Sequence, residues 1–208
     1  MLVSAIMPTR NRPAMAMEAV EAWKRQTYRP TELIILDDPT APSFPDGIDG
    51  RGISYWRMDE KPLGTKRNTL CELAKGEVIV HWDDDDVSTP GRIADQVARM
   101  LATGAAVTGY HAMRFHDGEK WFKYTGSEFY ALGTSLMYRK WFWERNQFFP
   151  SADGCSINED NLFVARANSC IVTADAGEMM YARIHAAHTS AKKVFKEDGE
   201  FAGNWSAA

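Results

Sequence analysis

The sequence contains little cysteine and no cysteine motif. Its three cysteines, Cys71, Cys155 and Cys170, are an odd number, and no two of them form a C-x-x-C pair. This usage excludes a thiolate metal site and fits reduced thiols. We therefore expect a cytoplasmic protein.

A long apolar run is also missing. No stretch approaches the ~18 apolar residues that a membrane-spanning helix needs. The apolar N-terminus is interrupted by Pro8 and Arg10, and no basic segment precedes it, so we expect no signal peptide. Any contact with a membrane is expected to be peripheral.

Positive charge is not in excess. The 24 Lys and Arg residues are outnumbered by 28 Asp and Glu residues, which gives a net charge of −4. This balance argues against nucleic acid as a partner held by general electrostatic attraction. It leaves room for a nucleotide whose phosphates are neutralised locally by a metal ion.

The pattern of apolar residues predicts an α/β fold in one domain. In the first half we predict strands at 3–7, 32–37, 53–56 and 78–82, helices at 13–25, 66–75 and from Pro90 onward, and a loop at 39–52. Gly76 is predicted to end the second helix. Ser88 or Thr89 is predicted to cap the third, with Pro90 as its first residue. This order implies a mainly parallel central sheet flanked by helices, with right-handed crossovers.

The second half of the chain is less regular. We predict strands at 105–110, 136–138 and 179–184, a hairpin of 112–116 with 120–124 around Asp117-Gly118, and a helix at 159–167. No linker or internal repeat separates the halves. We therefore treat residues 1–208 as a single domain.

Four consecutive aspartates follow the predicted strand at 78–82, and they are Asp83, Asp84, Asp85 and Asp86. Ligands of open α/β sheets bind just outside the carboxyl ends of the strands. Clustered carboxylates repel one another, and a divalent cation relieves that repulsion. Hard oxygen ligands suit Mg²⁺ or Mn²⁺. On an extended backbone Asp83 and Asp85 would share one side, so we predict a D-x-D metal site. Helix capping is the simpler interpretation, but it needs only one oxygen and leaves the other carboxylates unexplained.

In this order the segments resemble the GT-A glycosyltransferases, in particular the large inverting family 2. The resemblance spans about residues 3–190. It rests on VSAIMPTRNR at 3–12, ELIILDD at 32–38, GTKRN at 64–68, DDDD at 83–86, GTSLM at 133–137, FP at 149–150 and NEDNL at 158–162. One departure is Pro39-Thr40 after Asp38, where the family usually has small residues such as Gly-Ser. This difference affects the expected shape of the nucleotide loop.

The resemblance implies a Rossmann-like GT-A domain that moves a sugar from a nucleotide-sugar donor to a hydroxyl acceptor with inversion. Residues 1–103 would form the donor-binding half and residues 104–208 the acceptor-binding half. The residues implied to bind the donor are Pro8, Thr9, Arg10, Asp37, Asp38, Arg67, Asp83 and Asp84. Thr9 and Asp37 would contact the base and ribose, and an Asp that accepts from uracil N3–H favours a UDP-linked donor.

Two neighbouring basic residues of the second helix, Lys66 and Arg67, are expected to have different environments. The resemblance places Arg67 near the nucleotide, where it would donate to a base carbonyl or a phosphate. Its neighbour Lys66 is expected to be a solvated side chain on the helix surface.

The same resemblance implies the metal ligands and the base. Asp85 would bind Mn²⁺ or Mg²⁺ directly, and a late histidine, His185 or His188, would complete the metal shell. We favour one histidine over two, with a slight preference for His185. Asp160 is the predicted general base, with Glu159 as the second candidate. Both acids also suit the start of a helix, which is the simpler interpretation.

Eight aromatic residues cluster in the second half, and they are Trp121, Phe122, Tyr124, Phe129, Tyr130, Trp141, Phe142 and Trp143. Most are expected in the core, while one or two could form a platform for a sugar ring. The acceptor is expected to be a glycan, lipid-linked or protein hydroxyl, and a homo-oligomer is left open.

Other functions share some of these features. A sugar nucleotidyltransferase should carry a glycine-rich phosphate loop after the first strand, where this chain has Pro8-Thr9-Arg10. A phosphohydrolase of the D-x-D type would place its nucleophilic aspartate after the first strand, where this chain has no aspartate. A non-catalytic nucleotide- or carbohydrate-binding domain would not need both a metal site and the Glu159-Asp160 pair.

Overall fold

The apolar runs of the first half form the parallel centre of the sheet. The computed structural model describes residues 1–38, 48, 50, 52–146, 159–186 and 192–208. Strands β1 (Val3–Thr9), β2 (Thr31–Asp37), β3 (Ile53–Arg57) and β4 (Val78–His81) lie in the order β4-β1-β2-β3. All of their pairings are parallel. Every residue of β1 is buried, as expected for a strand covered on both faces.

One face of this centre is covered by α1 (Pro13–Lys24) and α3 (Arg92–Thr103). Alternate residues of β1, Val3, Ala5 and Met7, point into this layer and pack with the apolar sides of both helices. Because α1 packs against the sheet in this layer, the turn that connects β1 to α1 lies at the carboxyl-end edge of the sheet.

The opposite face is covered by α2 (Leu63–Leu73), α4 (Lys140–Asn146) and α5 (Glu159–Ala165). Here Ile6 and Ile79 pack with the buried sides of the three helices. This second layer joins α5, late in the chain, to the strands of the first half.

The remaining strands extend the sheet on the β4 side of this centre. They are β5 (Val87–Ser88), β6 (Val107–His116), β7 (Trp121–Thr125), β8 (Met137–Arg139), β9 (Ile171–Asp175), β10 (Met180–Arg183) and β11 (Trp205–Ala207). Strand β8 runs antiparallel between β4 and β6, whereas β9 and β10 run parallel to β6. The α/β prediction is therefore confirmed, and the sheet is mixed where the sequence predicted a mainly parallel one.

Two predicted helix ends are wrong. Helix α2 ends at Leu73, and Gly76 instead allows a close backbone approach, because a Cβ there would lie 2.8 Å from Leu2 O. Helix α3 begins at Arg92 without a side-chain cap. Ser88 belongs to β5, where its hydroxyl accepts a 2.9 Å hydrogen bond from Arg92 Nη1.

The predicted loop at 39–52 lies largely outside the described residues. Among the residues that the structure does describe, no helix is both long enough and apolar enough to cross a membrane.

Candidate functional site

The carboxyl ends of β1, β2 and β4 meet at one edge of the sheet. Thr9 ends β1, Asp37 ends β2, and the acidic turn follows β4. A cavity of about 100 Å³ opens here, and its lining includes Pro8, Thr9, Arg10, Arg12, Asp38 and Lys66. Four residues predicted to bind the donor therefore line one cavity, at the place where α/β folds bind ligands.

The acidic turn does not have the extended geometry expected for a D-x-D pair. The backbone turns at Asp84 and Asp85, which breaks the alternation of side chains. Asp83 faces Arg67, whose Nη2 lies 3.5 Å from Asp83 Oδ1. Asp84 points toward β1, where its Oδ2 accepts a 2.6 Å hydrogen bond from Thr9 Oγ1. Asp83 and Asp85 thus have different partners.

Arg12, at the end of the turn after β1, neutralises two of the aspartates. Its Nη1 donates to Asp85 Oδ2 at 2.6 Å, and its Nη2 lies 2.6 Å from Asp84 Oδ1. Burial lowers the pKa of Arg12, but attraction to Asp84 and Asp85 outweighs burial and raises it. Burial raises the pKa of Asp84 to about 7, and Arg12 offsets only part of this effect. Arg12 belongs to the VSAIMPTRNR segment that carries the resemblance, but no role was predicted for it from the sequence.

His185 reaches the same turn from the far end of the chain. Its Nε2 lies 3.1 Å from Asp85 Oδ2, so the structure joins two predicted metal ligands that are 100 positions apart. A carboxylate and an imidazole are suitable protein ligands for a divalent ion that also binds water and a diphosphate. In the described ranges, no group of three His, Cys, Asp or Glu side chains forms a preformed metal centre.

Asp37 is fully buried at the end of β2. Tyr55 Oη donates a 2.9 Å hydrogen bond to its Oδ2. Its Oδ1 is buried and accepts no hydrogen bond from the residues that the structure describes. A buried carboxylate oxygen of this kind is costly unless a donor reaches it.

Lys66 is buried, which contradicts the expectation of a solvated side chain. It is only 6% exposed, and its Nζ forms an ion pair with Asp38 and donates to Thr9 O at 3.1 Å. Burial lowers the pKa of Lys66, and Asp38 works against that shift. The reason for the error is that α2 begins at Leu63 and turns this position toward the sheet edge.

We expect Lys66→Met to lower the free energy of unfolding by about 3–5 kcal/mol, because it leaves the carboxylate of Asp38 buried without its cation. Urea denaturation of the purified protein measures the change. Lys75→Met is the matched control, since Lys75 is exposed just after the same helix and its replacement should cost less than about 0.5 kcal/mol. Equal stability of the two variants would contradict the assignment.

Arg67 is buried beneath the acidic turn and contacts the ring of His81. Burial lowers the pKa of His81 well below its usual value, and the charge of Arg67 adds to this effect. His81 is therefore neutral, and its Nδ1 lies 2.6 Å from the carbonyl oxygen of Gly133. The histidine links β4 to the 3-10 turn at Gly133–Ser135.

Asp160 lies against this 3-10 turn. A Cβ at Gly133 would be 2.7 Å from Asp160 Cγ, so only glycine leaves room for the carboxylate. Asp160 Oδ1 accepts a 2.8 Å hydrogen bond from the backbone N–H of Asn161. The next residue of the turn, Thr134, donates its hydroxyl proton to Asp86. The predicted base and the acidic turn therefore contact neighbouring residues of one short segment.

Several predicted residues lie outside the described part of the structure, namely the side chain of Glu159, Asn158, His188 and the segments 39–40 and 149–150.

The aromatic cluster divides between core and surface. Three of the eight residues, Phe122, Phe142 and Trp143, are buried, so the expectation that most members lie in the core is wrong. Tyr124 and Tyr130 are partly buried against the core. Trp121 is 37% exposed and Trp141 42% exposed. These two rings lie on different elements, β7 and α4.

Comparison with known proteins identifies the family. The family model described as Glycosyl transferase family 2 matches residues 4–161. The glycosyl transferase WcaA of Escherichia coli (strain K12) is 34% identical over 99 residues, which are 45% of this chain and 36% of WcaA. An uncharacterized glycosyltransferase of Bacillus subtilis (strain 168), YwdF, is 32% identical over 50% of this chain and 39% of its own length. The chain thus spans well under half of these curated relatives.

Solved structures share the fold. S. aureus TarS 1-349 in complex with UDP-GlcNAc superposes with a TM-score of 0.71 at 20% identity, over 95% of this chain and 63% of that one. The mannosyltransferase PcManGT from Pyrobaculum calidifontis, in complex with GDP-Man and Mn²⁺, gives a TM-score of 0.67 at 14% identity. That match covers 90% of this chain and 58% of the mannosyltransferase.

Proposed function

The chain belongs to glycosyl transferase family 2, and we propose that it transfers a sugar from a UDP-linked donor to a hydroxyl acceptor, with inversion and with a divalent metal ion. The observation that carries this proposal is the contact of His185 with Asp85 at the edge of the sheet. Two residues so distant in sequence, one carboxylate and one imidazole, meet where an α/β fold binds its ligand.

The donor occupies the cavity between the turn after β1 and the start of α2. Thr9 and Asp37 lie at the two strand ends there. The buried Oδ1 of Asp37 needs a hydrogen-bond donor, and the N3–H of uracil is one. Of the predicted donor residues, Pro8, Thr9, Arg10 and Asp38 line this cavity. The complex of TarS with UDP-GlcNAc, a protein of the same fold, supports a UDP-linked donor.

Asp85 and His185 are the proposed metal ligands. A bound Mn²⁺ or Mg²⁺ would neutralise the negative charge that develops on the leaving diphosphate. Arg12 already places a positive charge beside Asp85 and Asp84. The complex of the mannosyltransferase PcManGT with Mn²⁺ supports this assignment.

Asp160 is the proposed general base. The acceptor oxygen attacks the anomeric carbon while the bond from that carbon to the diphosphate oxygen breaks, and the carboxylate takes the hydroxyl proton. Attack from the side opposite the leaving group inverts the anomeric configuration. The contact of Asp160 with Gly133 holds the carboxylate against the turn that Thr134 joins to the acidic residues.

The two halves of the chain divide the substrates. We assign the donor to residues 1–103 and the acceptor to residues 104–208 of one domain. The acceptor is a glycan, lipid-linked or protein hydroxyl. Among the relatives, the E. coli protein WfgD is named for transfer to α-D-GlcNAc-diphosphoundecaprenol. Such an acceptor would require peripheral contact with a membrane, and the cysteine usage supports the cytoplasm as the compartment.

The test is a thermal-shift titration with UDP and GDP, each with and without Mn²⁺. We expect UDP with Mn²⁺ to raise Tm, because a ligand that binds only the folded state stabilises it. GDP is expected to have a smaller effect, because the guanine base presents different hydrogen-bonding groups to Asp37. Asp37→Asn should weaken UDP binding about tenfold or more by replacing the acceptor oxygens in part with an amide donor.

A larger shift with GDP than with UDP would contradict the uridine assignment alone. No shift with any nucleotide, with or without Mn²⁺, would contradict the glycosyltransferase proposal itself.

A further inference from the structure

One face of β6, β7 and β10 is a sheet surface that carries aromatic rings among charged side chains. Alternate residues of these strands, such as Phe115, Phe122 and Ala182, are buried in a core that also contains Val194. The residues between them point to the other face, which we call the Trp121 face. Its members are Arg114, His116, Trp121, Lys123, Tyr181 and Arg183.

The strand register arranges these side chains in two rows. Arg183, His116 and Trp121 are direct neighbours across the three strands, and Tyr181, Arg114 and Lys123 form the second row. The ring centroid of Trp121 lies 4.4 Å from that of His116 and 4.9 Å from that of Tyr181. The Trp121 ring is thus held by its neighbours while 37% of the residue remains exposed. A ring fixed in this way loses little entropy when a ligand stacks on it.

The charges of the Trp121 face are balanced. Each cation pairs with a carboxylate at the margin, Arg114 with Glu178, Lys123 with Asp175 and Arg183 with Glu18. A surface without excess positive charge does not favour a polyanion. Aromatic rings beside closely spaced hydrogen-bond donors and acceptors instead suit a pyranose, whose C–H face stacks while its hydroxyls both donate and accept.

The Trp121 face continues into the candidate active site. The N–H of Ile184 donates a 2.8 Å hydrogen bond to His116 O, and the next residue, His185, contacts Asp85. A cleft of about 360 Å³ adjoins the face, and Arg183 and Asp86 both line it. This volume lies within the range of small-molecule sites. Arg183, which lies in one row with Trp121 across the strands, therefore lines the same cleft as Asp86 of the acidic turn.

We propose that the Trp121 face binds a pyranose ring of a saccharide acceptor. This inference rests on the proposed function and names the acceptor class, a glycan with a neutral sugar near its reacting end. Trp121 supplies the stacking surface, and Tyr181 holds it in place.

The test is saturation-transfer difference NMR on the full chain with UDP and Mg²⁺, which is diamagnetic and does not broaden the ligand signals. The probes are the methyl glycosides of glucose, galactose and N-acetylglucosamine. At least one glycoside should receive saturation from the wild-type protein. Trp121→Ala should weaken its binding about tenfold through loss of the stacking surface. Tyr181→Ala should also weaken it.

Trp141→Ala is the matched control. Trp141 is exposed to a similar extent and also lies beneath an arginine, Arg145, at 5.0 Å, compared with 5.3 Å for Arg114 over Trp121. Its variant should bind the glycoside as the wild type does. UDP signals in the same samples report folding and donor binding.

The inference would be overturned if no glycoside gave a signal, or if the signal survived both Trp121→Ala and Tyr181→Ala. If UDP still binds, the proposed function stands. Absence of the UDP signal from the wild-type protein would instead contradict the proposed function.

Discussion

Replacing Asp160 by Asn is expected to lower kcat by about 10²- to 10⁴-fold and to leave the affinity for UDP unchanged. The amide has the shape of the carboxylate and can still accept from the N–H of Asn161, so the contact with Gly133 is preserved. It cannot take a proton from an acceptor hydroxyl. The measurement is initial-rate kinetics of sugar transfer together with calorimetric titration of UDP.

Asp198→Asn is the control for this experiment. Asp198 is exposed, and its Oδ1 accepts a 3.0 Å hydrogen bond from a nearby backbone N–H, as Asp160 Oδ1 does. The control variant should retain full activity. If Asp160→Asn also retains it and Glu159→Gln loses it, the second candidate is the base. Full activity in all three variants would remove both acids from the mechanism.

The order of elements could be predicted from the sequence because each buried strand is a short apolar run between breaks. The strands at 78–82 and 112–116 correspond to β4 and to the second part of β6. Strand β9 (Ile171–Asp175) was missed although it begins with the β-branched run Ile171-Val172-Thr173, and the structure leaves it only partly buried. Helix α4 was missed because its aromatic residues were interpreted as part of the aromatic cluster and not as a helix.

The partners of the acidic turn could not be predicted. Arg12 and Asp85 are 73 positions apart, and no local pattern indicates that the turn after β1 faces the turn after β4. An extended backbone was assumed for the aspartates, whereas the turn at Asp84 sends neighbouring side chains to different partners. The buried ion pair of Lys66 with Asp38 could not be predicted for the same reason. These residues are 28 positions apart, and their contact depends on how α2 packs against the sheet.

The arrangement around Asp85 gives two variants with opposite expected effects. Asp85 Oδ2 is shared by Arg12 Nη1 at 2.6 Å and His185 Nε2 at 3.1 Å, so a metal ion must compete with the guanidinium for this oxygen. Asp85→Asn removes the charged ligand and should weaken Mn²⁺-dependent UDP binding at least about 100-fold, because even changes outside the ligand shell cost 10- to 100-fold. Arg12→Gln removes the competing cation and should strengthen the binding of Mn²⁺ alone.

Mn²⁺ titrations of both variants, followed by water proton relaxation, measure these changes, and UDP is then added to the same samples. Asp198→Asn again serves as the control and should match the wild type. Mn²⁺ binding unaffected by Asp85→Asn would show that the ion is held elsewhere. If instead the wild type binds UDP and transfers sugar equally well with EDTA, Arg12 is the cation beside the leaving diphosphate. In that case its loss should abolish transfer, because the aspartates would then repel the phosphates without compensation.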